Sequence, residues 1–451
     1  MIDKTEKPDD VEDLWSRYGS LIKSRRKAIW LIFALGYLIA YFHRVSPAVI
    51  VDKLFSQFSI EAAAVVGSMS AVYFYIYFLM QIPAGILTDI FGPRKVLFCG
   101  LIVSAAGAVW FALAGSVGSL FAGRFLVGLG VSVVFVCAIR AYSSWFRPRE
   151  FGTVMGMMIS VGNLGGVMAA APLAALVDLL GWRSSFAMVG LASLLLAAAA
   201  WRVVRDHPAD VLPAGRGAAS TYRPQPVSWA DTAQALGRIV RDRNLWLALT
   251  ASFCIYGPFM ALVGVWGVPF LMQVYGMART QAASVMILAS LGVMVGGLTM
   301  GLISDRLGSR KKPYVAFAVG NVLVWAALVW WNQGMPPVYG LLALYFLLGI
   351  GGNTGVLSPI MIKEYNPPQY AGLASGLGNI GGFVGSAFMQ PFFGLLLDRK
   401  WDGVLVEGAK HYSLDAYHFA FTACLISGCL AVLMASLLKE SLRKSSPGPG
   451  A

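Results

Sequence analysis

A short polar element occurs twice in this chain, each time between two long apolar runs. The first copy reads Gly85-Ile-Leu-Thr-Asp89-Ile-Phe-Gly92-Pro-Arg94-Lys95, and the second reads Gly301-Leu-Ile-Ser-Asp305-Arg-Leu-Gly308-Ser-Arg310-Lys311, 216 positions later. The run Gly162-Asn163-Leu-Gly165-Gly166 returns at the same displacement as Gly378-Asn379-Ile-Gly381-Gly382. Two matches that share one displacement indicate a duplicated chain.

The composition requires a bilayer as solvent. Of the 451 residues 57% are hydrophobic and 13% are charged, whereas soluble domains carry about 25% charged residues. An apolar stretch of about 20 residues crosses a hydrocarbon core of about 30 Å, and it does so as a helix because lipid offers its backbone no hydrogen bonds. We predict twelve such spans, numbered 1 to 12, which begin near Ala28, Ala62, Lys95, Leu120, Phe151, Arg183, Leu245, Thr280, Pro313, Pro337, Gln369 and Asp415.

The spans divide the chain into two halves of six. We predict a tail over residues 1–27, a first half over 28–204, a linker over 205–244, a second half over 245–438 and a tail over 439–451. Most of the 35 Lys and Arg residues fall on the side of the tails and linker, which is the cytoplasmic side by the positive-inside rule. We therefore expect a multi-pass protein of the cytoplasmic (inner) cell membrane with both termini in the cytoplasm.

The same distribution bears on the partners. Basic clusters beside a membrane face anionic lipid, so the net charge of +13 indicates lipid contact and no nucleic-acid partner. The five cysteines lie within spans at no metal-ligand spacing, and we find no nucleophile and base pair, phosphate loop or metal cluster. We expect no enzyme, no cofactor and no metal, and we expect a monomer.

The duplicated loop resembles the loop between helices 2 and 3 of the major facilitator superfamily. This resemblance implies an all-α membrane fold of twelve helices in two pseudo-symmetric halves, with a substrate site near the midplane between them. It also implies that the loops control the balance between inward-open and outward-open states. We assign that role to the charged residues Asp89, Arg94, Asp305 and Arg310 and to the turn glycines Gly85, Gly92, Gly301 and Gly308. The alternative is that the basic residues only fix orientation.

Buried cations give the clearest sign of the cargo. All acidic residues can be placed in loops, tails or helix ends, whereas Arg44 of span 1 and Arg140 of span 4 lie within spans and His43 adjoins Arg44. An unpaired cation in low dielectric costs several kcal/mol. The missing negative charge therefore points to an anionic substrate.

Span 1 also carries donors on the same face. Tyr37, Tyr41 and Arg44 follow i, i+4, i+7 spacing, which places two phenols beside a guanidinium suited to a carboxylate or phosphate. Alternatively, the tyrosines pack and Arg44 extends its guanidinium to the membrane interface. Further candidate lining residues are Tyr73, Tyr77, Gln81, Asn163, Tyr256 and Asn379. A single intramembrane amide is also commonly an interhelical hydrogen bond, and Gly257-Pro258 predicts a kinked span 7 beside the cavity.

Two further stretches resemble one branch of the superfamily. Tyr41-Phe-His43-Arg44-Val-Ser-Pro47 and Arg205-Asp-His207-Pro208 look like the organophosphate:phosphate antiporters and the related anion:cation symporters. Those antiporters pair the arginine of helix 1 with one in helix 7 and use a histidine in helix 5, where this chain has Met260 and Gly162. A monoanion such as a carboxylate suits a single strong cation better than a doubly charged phosphate ester.

The function that follows is secondary active transport of a small organic anion by alternating access. Proton symport would use His43, which titrates near neutral pH, and Arg124 resembles an intramembrane arginine linked to coupling in the family. Arg124 could also extend to the outer interface. Exchange of a counter-anion, including phosphate or phosphorylated solutes, stays open, as does a receptor that senses a solute without carrying it. Export of cationic drugs is disfavoured because the spans lack acids.

Overall fold

The computed structural model describes residues 9–60, 62–146, 148–211, 229–352, 357–367, 371–406 and 409–441. These residues form seventeen α-helices and one two-stranded hairpin, β1 Leu405–Val406 with β2 Ala409–Lys410. The predicted all-α class follows from this composition of elements.

The first half contains eight helices. They are α1 Asp9–Val45, α2 Val51–Phe58, α3 Ala63–Leu79, α4 Gln81–Phe91, α5 Pro93–Ala112, α6 Val117–Trp145, α7 Pro148–Met168 and α8 Ala171–Val203. The linker contributes α9 Trp229–Arg241. The second half contains α10 Arg243–Ala261, α11 Gly267–Tyr275, α12 Arg279–Leu307, α13 Lys311–Trp330, α14 Val338–Gly352, α15 Leu357–Tyr365, α16 Ala371–Arg399 and α17 Leu414–Leu437.

Ten helices in the described ranges are long and apolar enough to cross a bilayer, or eleven if the bent pair α2 and α3 counts as one. Span 5 accounts for the difference from the twelve predicted spans, because its apolar helix Val154–Met168 is too short to count as a span. Its continuation is the first part of α8, because that helix breaks at Gly181 (φ 80°, ψ 156°) before span 6 begins. The predicted start of span 11 near Gln369 lies outside the described residues.

The repeated glycine runs allow helices to pack at very short range. A Cβ added to Gly165 of α7 would lie 2.0 Å from the Leu38 carbonyl oxygen of α1, and one added to Gly381 of α16 would lie 2.3 Å from the Leu249 carbonyl oxygen of α10. The duplicated sequence thus produces the same backbone contact in each half, as small residues do in membrane helices.

The halves meet through α3 and α16. Gly67 packs on the backbone of Gln390, where an added Cβ would lie 2.4 Å from its carbonyl oxygen, and Gly394 packs in the same way on Ala63. Helix α12 lies against α7 and α8.

Span 7 is interrupted, in agreement with the kink predicted from Gly257-Pro258. A π-helical turn over Leu262–Trp266 separates α10 from α11. The Trp266 indole of this turn donates to the Gln390 carbonyl oxygen at 3.1 Å, which ties the irregular segment to α16. Irregular backbone inside a membrane is tolerated where protein buries it, as here.

Candidate functional site

The Arg44 guanidinium lies inside the protein, on the seam between the halves. The residue is 2% exposed. Its Nη1 donates to the Tyr256 hydroxyl of α10 at 3.3 Å, while Nε and Nη2 have no hydrogen-bond partner among the described residues. The alternative in which Arg44 reaches the membrane interface does not fit this burial.

Aromatic rings surround this cation. The Arg44 Cζ lies 4.2 Å from the Tyr41 ring centroid and 5.5 Å from those of Tyr77 and Phe383. Tyr77 also stacks on Phe383 at 4.7 Å, so rings from both halves form one wall. Cation–π contacts offset part of the cost of burying a charge but supply no negative group.

The remaining predicted tyrosines lie in the same cluster. The Tyr37 ring contacts that of Tyr41 at 5.1 Å, and the Tyr73 ring stacks on that of Tyr77 at 5.9 Å. The Tyr73 hydroxyl donates to the Ala40 carbonyl oxygen at 3.0 Å, which holds α3 against α1. The spacing in span 1 therefore brings Tyr37, Tyr41 and Arg44 together with the tyrosines of span 2.

A second buried cation lies next to the first. Arg124 of α6 is 1% exposed, and its Nη1 donates to the His43 carbonyl oxygen at 2.8 Å. Its Cζ lies 5.5 Å from the Tyr73 ring centroid. Arg124 thus points into the protein and not to the outer interface. His43 is also 1% exposed, and neither ring nitrogen has a hydrogen-bond partner among the described residues.

The other sequence candidates lie apart from this cluster or bond locally. Arg140 follows Arg124 by sixteen residues on α6, about 24 Å at 1.5 Å per residue. Gln81 donates to the Tyr77 carbonyl oxygen at 3.1 Å and Asn163 to that of Ile159 at 3.1 Å. Both amides bond a carbonyl four residues earlier in their own chain segment, and not the neighbouring helix that an interhelical hydrogen bond would require. Asn379 is exposed.

The first loop element is held by an acid that the motif does not contain. Gly92 has φ 80°, and Asp206, which follows α8, accepts a hydrogen bond from the Arg94 backbone amide at 2.8 Å. The Arg94 side chain donates to the Trp201 carbonyl oxygen and lies 4.4 Å from the Trp201 ring centroid. Partial burial raises the pKa of Asp206, against the opposing effect of the Arg94 amide. The Asp89 side chain lies outside the described residues, and Gly85 has open space beside it.

The second loop element repeats this arrangement. Glu440, which follows α17, accepts from the Arg310 backbone amide at 2.8 Å, and the Arg310 side chain pairs with Asp305 at 2.6 Å and Glu364 at 3.2 Å. Burial lowers the pKa of Arg310, but these two acids outweigh it and raise the pKa above its ordinary value. Gly308 again has positive φ, at 57°, whereas Gly301 is unobstructed.

The sequence analysis did not identify the two acids that bind the loop elements, and it did not identify Phe383. The only available signal was an acidic residue just after the last span of each half, Asp206 and Glu440. For Phe383 the sequence has no signal, because its ring reaches the site only through the packing of α16 on α3.

A further group of contacts joins the two halves, on the face opposite the two loop elements. Arg279, at the start of α12, bonds Asp52 through Nη1 and Nη2 at 2.6 and 2.5 Å, Asp178 at 3.1 Å and the Val49 carbonyl oxygen at 2.6 Å. We call this set the Arg279 bridge. It links two segments of the first half, the turn that leads into α2 and the first part of α8, to the second half.

Comparison with known proteins agrees with this architecture. The family model described as Major Facilitator Superfamily matches residues 29–278 and 251–451. Among solved structures, a bacterial homologue of the human lysosomal transporter Spinster, in an inward-facing and occupied conformation, superposes with a TM-score of 0.69 at 18% identity. The match covers 91% of this chain and 95% of that one.

Three curated relatives are similar over most of their length. A probable sulfoacetate transporter of Cupriavidus necator is 26% identical, covering 84% of this chain and 88% of the relative. A probable galactarate/D-glucarate transporter of Bacillus subtilis is 25% identical, with coverages of 84% and 88%. A probable hexose phosphate transport protein of Chlamydia trachomatis is 23% identical, with coverages of 93% and 93%.

These relatives confirm the resemblance to the organophosphate:phosphate antiporter and anion:cation symporter branch. They are transporters of anions and not enzymes. The chain belongs to the Major Facilitator Superfamily, as a multi-pass membrane protein of two helical halves.

Proposed function

We propose that this protein carries a small organic anion across the membrane by alternating access, and that an acidic group of the solute binds Arg44. The single observation that carries the proposal is the buried guanidinium of Arg44, whose Nε and Nη2 lack partners among the described residues. The phenols around it, those of Tyr41, Tyr77 and Tyr256, are uncharged at neutral pH. A bound carboxylate, sulfonate or phosphate would supply the counter-charge that these phenols do not.

The position of the site supports carriage. Tyr256 and Phe383 come from the second half and Tyr41 and Tyr77 from the first, so movement of one half against the other changes the contacts of Arg44. A solute held between the halves is then exposed to one side at a time. The relatives named for sulfoacetate, glucarate and hexose phosphate support an anion as the solute.

Coupling to protons is proposed through His43. Its ring is buried near the positive charge of Arg124, which disfavours a second positive charge on the imidazole. A bound anion would remove this opposition, so that the anion and a proton would bind together. Exchange of one anion for another is the competing form of coupling.

The loop elements are proposed to set the conformational balance by fastening each half. Arg94 with Asp206, and Arg310 with Glu440, join the first residues of one helix to the segment after the last helix of the same half. These contacts keep each half rigid while the two halves move against each other. We further propose the cytoplasmic (inner) membrane as the location, with both termini in the cytoplasm, on the basis of the positive-inside charge distribution.

Transport assays with purified protein in liposomes test the proposal. Labelled glucarate and sulfoacetate should show saturable uptake and counterflow for at least one solute, and Arg44→Gln should reduce uptake at least 100-fold. Arg202→Gln is the matched control, because Arg202 is an exposed arginine at the end of α8. Equal uptake by Arg44→Gln would refute the role of this cation. Binding without flux would indicate a sensor, and stimulation by an opposing pH gradient would separate symport from exchange.

A further inference from the structure

Besides Arg44, the site contains a second buried arginine whose hydrogen bonds are incomplete among the described residues, Arg124. Its Nη1 bonds the His43 carbonyl oxygen, while Nε and Nη2 are buried without a partner among the described residues. Its Cζ lies over the ring of Tyr73, whose phenol has no negative charge at neutral pH to balance that of Arg124. His43 cannot neutralise it, because imidazole is neutral or positive.

Arg124 and Arg44 lie against one aromatic cluster. Arg124 bonds the carbonyl of the residue that directly precedes Arg44. The two cations also flank one stacked pair of rings, since Arg124 lies over Tyr73 and Arg44 lies near Tyr77.

Arg44 and Arg124 leave the same edge of the guanidinium group without a hydrogen-bond partner among the described residues. Each leaves Nε and Nη2 unpaired and uses Nη1 for its protein hydrogen bond. Nε and Nη2 together form the side-on edge of a guanidinium, which binds both oxygens of a planar acid. A single acidic group would fill one of these edges and leave the other charge buried and unpaired.

We infer that the transported solute carries two acidic groups, one bound by the side-on edge of Arg44 and the other by that of Arg124. This inference rests on the proposed function and replaces the monocarboxylate expected from the sequence with a dianion of the dicarboxylate or sulfocarboxylate kind. Arg124 is then the residue that selects two negative charges over one.

Binding to the purified full-length protein, followed by calorimetry, tests the selection. The probes are dianions matched to monoanions of similar skeleton: glucarate with gluconate, succinate with butyrate, and sulfoacetate with acetate. We expect the protein to bind at least one dianion ten or more times tighter than its partner. Arg124→Gln should abolish that preference, because it removes the edge that binds the second acidic group, whereas Arg44→Gln should weaken the binding of both members of each pair.

The outcomes separate this inference from the proposed function. Equal affinity for both members of every pair, or an Arg124→Gln variant that keeps the dianion preference, overturns the two-acid solute while Arg44 retains its role. Failure of Arg44→Gln to weaken any anion overturns the proposed function itself, as does absence of binding to every probe. Arg124→Lys guards against misfolding: it retains the charge but lacks the side-on edge, so the preference should fall while the variant elutes as the parent does.

Discussion

We expect the Arg279 bridge to hold the two halves together on the face opposite the two loop elements. Arg279→Gln removes three charge-assisted hydrogen bonds to Asp52 and Asp178. The Arg279 side chain is 8% exposed, but those of Asp52 and Asp178 are 31% and 46% exposed, so solvent screens much of the attraction. We therefore expect the substitution to reduce the stability of the closed state by about 2 kcal/mol, toward the lower end of the range for hydrogen bonds to charged groups.

That loss should shift the balance between states by about 30-fold. If the state open on this face is populated at about 1% in the parent, the variant should populate it at about a quarter. Spin labels at Leu179 and Tyr339 report the opening, since both are highly exposed, at 80% and 87%, and lie on this face in different halves. Pulsed electron resonance should then show a longer-distance population that the parent lacks.

Arg183→Gln provides the matched control. Arg183 also lies near this face, but it donates to Gln57 and the Ala114 carbonyl oxygen, which belong to its own half. The distance distribution should therefore stay that of the parent. An unchanged distribution in Arg279→Gln, or the same change in both variants, would show that the bridge does not hold the halves together.

Three further outcomes are expected. Arg124→Met should raise the melting temperature of the ligand-free protein, because it removes a buried positive charge that its protein contacts balance only in part. A clear decrease in melting temperature would mean that the cation–π contact with Tyr73 outweighs the cost of removing the charge from water. Gly165→Leu should prevent recovery of folded protein in detergent, whereas Gly156→Leu, with open space beside it, should be recovered normally, and equal recovery would contradict the close contact with Leu38. Asp206→Ala should destabilise the first half by about 1 kcal/mol, measured as an earlier loss of hydrogen-exchange protection at the start of α5, and unchanged protection there would contradict the cap on Arg94.

The sequence predicts the fold because the bilayer restricts the choices. Apolar stretches of sufficient length must become helices, and the recurrence of the Gly85 and Gly301 elements at one displacement implies two equivalent halves. The repeated contacts of Gly165 and Gly381 follow from the same duplication. The interruption at Ala169 and Ala170, which leaves span 5 in two pieces, is less predictable because two alanines in a long apolar run are compatible with a continuous helix.

For the candidate site, periodicity places Tyr37, Tyr41 and Arg44 on one face, and the lack of acids within the spans indicates an anion. Contacts between distant segments decide the rest. Only tertiary packing turns Arg124 inward beside His43 and brings Phe383 over Arg44, since spacing along one helix says nothing about which neighbour it meets. The number of cations beside this aromatic cluster, and with it the inferred charge of the solute, is for that reason a property of the folded protein and not of any single sequence motif.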